Sequence, residues 1–126
     1  MPRDKRDFAM HLRQRMPDEQ RLKRIGAVFA VLADQQRLKI LLALTAAEEL
    51  YVGEIAHVLG TSVSVASHHL RKLHDLGILE DRQDGKLAYY RLRQRCVASL
   101  AITALAARGE SADRLARRSF PGMFES

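Results

Sequence analysis

The sequence predicts a mainly α-helical domain that carries one small β-hairpin, an α+β class, and three observations predict it. Apolar residues recur at three- and four-residue steps along most of the chain. The period changes to two only across "ILEDRQDGKLAYYRL" at 78–92. The chain has 126 residues, 47% of them hydrophobic, which is enough for one core but short for two. The expected organisation is an N-terminal arm or short helix at 1–17, a domain at 18–109 and a C-terminal tail at 110–126.

Residues 1–16 alternate charges with Phe8, Met10, Leu12 and Met16, and read as a mobile basic arm or a short helix ending before Pro17. A helix is expected from Asp18, because Leu22, Ile25, Phe29 and Leu32 share one face and Asp18 and Glu19 sit where the dipole favours acids. Asp34 caps a second helix, whose Leu38, Leu41, Leu42 and Thr45 run close to one face, widened by Ile40 and Leu44. In "ELYVGEIAHVLGTSVSVASHHLRKLHDLG" a short helix through Glu54, Ile55, Val58 and Leu59 ends at Gly60. Ser62 then caps another, which Gly77 stops. Two helices joined by so short a glycine-containing turn form a helix-turn-helix. The hairpin turns across Asp84 and Gly85, with Leu87, Tyr89 and Arg91 on one face and Ala88, Tyr90 and Leu92 on the other. Val97, Leu100, Ala101, Ala104 and Leu105 stripe a last helix that ends near Gly109.

The net charge of +6 is uneven. Residues 1–16 carry five basic and two acidic side chains, and 61–95 carry seven and four, so the surplus gathers at the arm and around the helix-turn-helix. That distribution suits a polyanionic partner. The single cysteine, Cys96, excludes an intrachain disulfide and a cysteine-rich zinc site. The longest apolar stretch, "GAVFAVLA" at 26–33, is too short to span a bilayer, so a cytoplasmic protein without membrane contact is expected.

"SVASHHLRKLHDLG" at 64–77 brings His68, His69 and His74 within seven positions. At roughly 100° per residue, Ser64, Arg71, Lys72 and Asp75 fall within about 60° of His68 and form an outward polar stripe opposite Ala66, Leu70 and Leu73. His69 and His74 lie at the two borders of the apolar face, and the three rings point in three directions. A shared metal needs spacings of three or four. The spacings here are one, five and six, which argues against a metal site built from them. No glycine-rich phosphate loop, paired acids or H-E-x-x-H arrangement supports an enzyme. Ser62, Ser64, Ser67, His68, Arg71 and Lys72 are the candidates for contacts to base edges and phosphates. His69 is assigned to packing or an internal hydrogen bond, and His74 to a contact with the hairpin or the surface.

The run from Glu49 to Leu92 resembles the winged helix-turn-helix core of the ArsR/SmtB family of bacterial metal- and stress-responsive repressors, its cadmium-sensing branch included. The likeness extends over about residues 20–108. It implies a homodimer in which the first long helix and the helix after the wing pack between subunits, with Leu22, Ile25, Phe29, Val97, Leu100, Ala101, Ala104 and Leu105 as interface candidates. It also implies that two recognition helices meet an inverted repeat in double-stranded DNA, with Arg82, Lys86 and Arg91 of the wing gripping phosphate or minor groove.

The chain departs from the family's pattern at the inducer sites. Metal-sensing relatives place thiols in the helix that begins at "ELYVGE", where this chain has Tyr51 and Gly53. At a second family site the matching residues are Gln94, Cys96, Ala107 and Glu110, of which only Glu110 keeps its type. No cofactor is expected, and a metal ion has no support from the usual ligand positions. Cys96, near a helix start and beside Arg95, is the candidate sensor for a thiol-reactive species, against the plainer reading of a small packed residue. The expected function is a sequence-specific repressor released by a small inducer, a metal, metalloid or thiol-reactive species. The alternative is a protein-interaction module or a module that covers DNA without sequence preference.

Overall fold

The computed structural model describes residues 4–107. The expected tail at 110–126, the helix stop at Gly109, Glu110 and the side chain of Leu105 lie outside the described residues. The elements run α1 (Lys5–Arg15), α2 (Glu19–Leu32), α3 (Gln35–Ala46), β1 (Leu50–Tyr51), α4 (Val52–Leu59), α5 (Val63–Asp75), β2 (Leu79–Asp84), β3 (Leu87–Leu92) and α6 (Arg95–Ala106). They fall into two compact units, Met1–Ala30 and Val31–Ser126.

In the first unit the N-terminal segment is a helix. The Asp4 carboxylate accepts from the Arg6 N–H at 2.9 Å, and α1 buries none of its residues. The chain then turns at Met16 and Pro17, where a residue preceding proline is driven to extended geometry, as the Met16 ψ of 145° shows. Asp18 restarts it by accepting from the Arg21 N–H at 2.8 Å.

The second unit holds the core. Asp34 caps α3 by accepting from the N–H groups of Gln36 (2.8 Å) and Arg37 (3.2 Å). Burial pushes its carboxyl up, but these two bonds and the charge of Arg37 outweigh burial and hold it below the ordinary 3.8. The contribution of the ionised cap is therefore complete above 3.8 and is lost as pH falls through the lower folded-state value. Asp34→Ala is expected to cost about 1 kcal/mol at neutral pH. Urea unfolding of both proteins at pH 7 and again in strong acid should show the deficit shrinking in acid.

The inward face of α3 differs slightly from the one its spacing suggests. Its buried residues are Ile40, Leu41 and Leu44, while Leu38 and Leu42 are half-buried. The helix is enclosed from several directions by α4, α5, β3 and α6, so its inward face is centred differently from that of a helix lying on one surface. Ile55, Leu59, Ala66, Leu70, Leu73, Ile78 and Leu79 complete the centre, and no polar or charged residue is buried among the described residues.

The sheet has three strands in the order β1-β3-β2, both pairings antiparallel. The β2–β3 hairpin agrees with the sequence pattern. The two-residue β1, pairing Leu50 with Tyr90 and Tyr51 with Tyr89, has no counterpart there, because two residues carry no period. The register pairs Asp84 with Leu87, so the loop is Gly85–Lys86, one residue later than the Asp84–Gly85 turn expected from the sequence. Gly85 stands at φ 61°, the positive value that such a tight hairpin turn requires.

Candidate nucleic-acid interface

The α4–turn–α5 unit is built locally. Gly60 takes the left-handed conformation (φ 67°, ψ 37°), its N–H closing on the His57 carbonyl at 3.1 Å. Ser62 then accepts from the Val65 N–H at 3.2 Å and opens α5. Ala66, Leu70 and Leu73 have no solvent exposure and fix the rotation of α5 about its axis. With that face clamped, Ser64, His68, Arg71 and Lys72 are exposed, as is Ser62 at the cap, while Ser67 is half-buried.

Of the three histidines, His68 and His69 touch and His74 stands apart. The rings of His68 and His69 meet edge to face with centroids 5.7 Å apart. His69 turns inward, its Nδ1 accepting from Arg37 Nε at 3.3 Å, and a second Arg37 nitrogen donates to the Val31 carbonyl at 3.2 Å. His74 Nε2 lies 2.9 Å from Asp81 Oδ1, which ties the end of α5 to the wing. Among the described residues no group of three or more His, Cys, Asp or Glu side chains converges.

Between α5 and the wing runs a cleft of about 310 Å³ lined by Ser67, Arg71, His74, Asp81 and Tyr90. Burial, then the charge of Asp81, pushes the Tyr90 phenol up, with Arg71 opposing, so its hydroxyl keeps its proton and can donate at neutral pH. Arg71, Ser67 and Tyr90 thus bring three donors to one cleft. Of these, Tyr90 is a residue that sequence reasoning placed on the hairpin without a role.

The wing cations differ from one another. Arg82 pairs with Glu49 through both nitrogens of its fork, with the Nε bond at 3.0 Å, and its guanidinium lies 4.5 Å from the centroid of the Tyr89 ring. The Tyr89 ring in turn meets Tyr51 edge-on at 6.0 Å. The Arg82 bond holds the Glu49 carboxyl below its ordinary range and pushes Arg82 further up. Arg91 pairs with Glu80, its cross-strand neighbour. Lys86, in the loop, has no ion pair among the described residues. Two of the three expected phosphate-gripping residues therefore already hold carboxylates. Sequence reasoning missed Glu49 because it lies 33 positions from Arg82 and stands just before β1, a strand whose pairing with β3 was not foreseen.

The other candidates also divide. Leu22, Ile25 and Phe29 are exposed on α2, and Leu100 and Ala104 on α6. Val97 and Ala101 are buried within the second unit, because the inner side of α6 lies against α3. Cys96 is exposed at the second position of α6, not packed. The start of α4, where Tyr51 and Gly53 stand, borders a cleft of about 450 Å³ with Leu50, Glu54, His57 and Val58. The Tyr51 ring folds over Gly53 so closely that a Cβ there would lie 2.5 Å from Tyr51 Cε2.

Known proteins share this arrangement. The family model "Bacterial regulatory protein, arsR family" matches residues 34–81. The cadmium resistance transcriptional regulatory protein CadC of Listeria innocua is 40% identical over 76 residues, which are 60% of this chain and 64% of the relative. The chain thus spans somewhat less than two thirds of that regulator. The HTH-type transcriptional regulator KmtR of Mycobacterium tuberculosis is 36% identical over 90 residues, 71% of this chain and 68% of the relative. Among solved structures, the homodimeric winged helix-turn-helix DNA-binding domain of a possible ArsR-family regulator from Mycobacterium bovis superimposes with a TM-score of 0.60 at 28% identity, covering 87% of this chain and 91% of that one. With the α4–turn–α5 reading unit, the β2–β3 wing and these relatives together, the chain belongs to the ArsR family of winged helix-turn-helix transcriptional regulators, which are DNA-binding proteins and not enzymes.

Proposed function

We propose that the chain is a homodimeric repressor that occupies an inverted-repeat operator in the cytoplasm and leaves it when a small inducer binds. One observation carries this reading: the polar stripe of α5 is exposed while the opposite side of the same helix is fully buried, so its donors are held out rigidly beside the wing. A helix so presented fits the major groove, and a two-fold protein reads a two-fold site. The homodimeric state of the Mycobacterium bovis relative supports the dimer. So do the exposed apolar residues of α2, Leu22, Ile25 and Phe29, and separately Leu100 of α6, which a partner would cover.

The inducer belongs to the metals, metalloids or thiol-reactive species. The cadmium-resistance relative favours the first, and the exposed Cys96 favours thiol-reactive electrophiles. Release follows if the inducer prefers a dimer geometry whose reading heads no longer match the half-site spacing.

The test is enrichment of duplexes from a random library, followed by titration of the enriched sequence and of random duplex at fixed salt. A preference of roughly 10³-fold or more is expected. Equal affinity for both would replace this function with that of a module covering DNA without sequence preference. Repeating the titration with metal ions, arsenite, persulfide and peroxide identifies the inducer class.

The Glu49–Arg82 pair adds a prediction. Glu49→Gln removes the carboxylate that occupies Arg82, so the guanidinium becomes available to a phosphate. Affinity for random duplex should rise, and the plot of log affinity against log salt should steepen by up to about one unit per protomer. Fluorescence anisotropy between low and moderate salt checks both.

A further inference from the structure

Helix α5 disposes of its apolar side chains in two ways. Ala66, Leu70 and Leu73 are fully buried, whereas Val63 and Val65, in the first turn, are 51% and 43% exposed. Val65 is also on the reading side. It falls about 60° from His68 around the helix, on the flank that Lys72 occupies two turns later. The Ser62 hydroxyl, accepting from the Val65 N–H, fixes the backbone under it. Valine in a helix is held to essentially one χ1 rotamer, so its two methyl groups are presented in a set direction without further ordering. Val63, the first residue of the helix, falls about 140° from His68, toward the side of Ala66, Leu70 and Leu73.

Valine can neither donate to a phosphate nor pair with a polar base edge. In the major groove only thymine offers an apolar group, its 5-methyl. The first turn of a recognition helix is also the part that reaches base edges. We propose that Val65 reads thymine methyl groups, so that each operator half-site carries one or two thymines chosen for the methyl rather than for hydrogen bonding. This rests on the preceding proposal that α5 enters the major groove of an operator.

The experiment uses the full-length protein and the operator enriched as above. Each thymine is replaced singly by deoxyuridine, which removes the methyl and leaves every donor and acceptor in place. One or two positions per half-site should weaken binding by about fourfold each, the effect of one methyl-sized group returned to water. In Val65→Ser, at an exposed position, the same replacements should cost nothing. Circular dichroism and affinity for random duplex should match the wild type and report that α5 is intact. An operator on which no deoxyuridine replacement changes wild-type affinity overturns the inference while leaving the repressor function standing. So does a penalty that persists undiminished in Val65→Ser. If no operator is enriched at all, the function on which the inference rests fails, and the inference fails with it.

Discussion

Leu70→Ala is expected to lower the unfolding free energy by about 2–5 kcal/mol, the usual cost of emptying a fully packed leucine site. Leu70 has no solvent exposure and lies on the inner face of α5, which contacts α3, α4 and β2. The cavity therefore opens where four elements meet, and no exposed segment is free to collapse into it. Against a typical total of about 5–15 kcal/mol, such a loss leaves a sizeable unfolded population under mild denaturing conditions. Guanidinium titration followed by helical circular dichroism measures it. Leu70→Met, which nearly conserves volume, should cost less than about 1.5 kcal/mol. A small effect of the alanine change would mean that α5 is not clamped by its inner face, and the rigidity argued for its reading face would go with it.

The second large effect is on DNA. Arg71→Ala should weaken operator binding by about 1–3 kcal/mol in each half-site, with relaxed preference at one position there if the guanidinium reads a base. Arg71 lines the cleft with Ser67 and Tyr90, so its side chain is guided along the flank of α5 that faces the wing. Competition titrations with operators altered one base pair at a time separate the two components. A penalty that is uniform across sequences would identify a phosphate interaction instead, and an unchanged affinity would mean that α5 is rotated from the register described.

What could be read in the sequence was what local spacing encodes. Asp34 and Ser62 sit at the positions where helix N–H groups lack partners, and Gly60 and Gly77 at the positions that need positive φ, so both helix ends of the reading unit are legible in the chain. That His68, His69 and His74 do not converge on one point follows from the helical angle alone. Periodicity gives which residues share a face but not what covers that face. Val97 and Ala101 thus share a stripe with Leu100 and Ala104, although the first two meet their own core and the others meet solvent. Pairings over long separations are invisible for another reason. Glu49 with Arg82 depends on a two-residue strand, and strands that short leave no pattern. The wing charges Arg82 and Arg91 consequently look free in the sequence and are engaged in the structure.

The strand order has a consequence for how the molecule avoids unwanted company. With β3 in the middle, β2 is left as an edge strand, and β1 is too short to close the far side of β3 beyond its base. An open edge is a template for another chain's strand. Here the edge reads Glu80, Asp81, Arg82, Gln83 and Asp84, with the last four exposed. A second copy brought alongside would set like charges opposite one another and desolvate them with no apolar gain. The wing is thereby protected from edge-to-edge growth into fibres even in a concentrated solution of the protein.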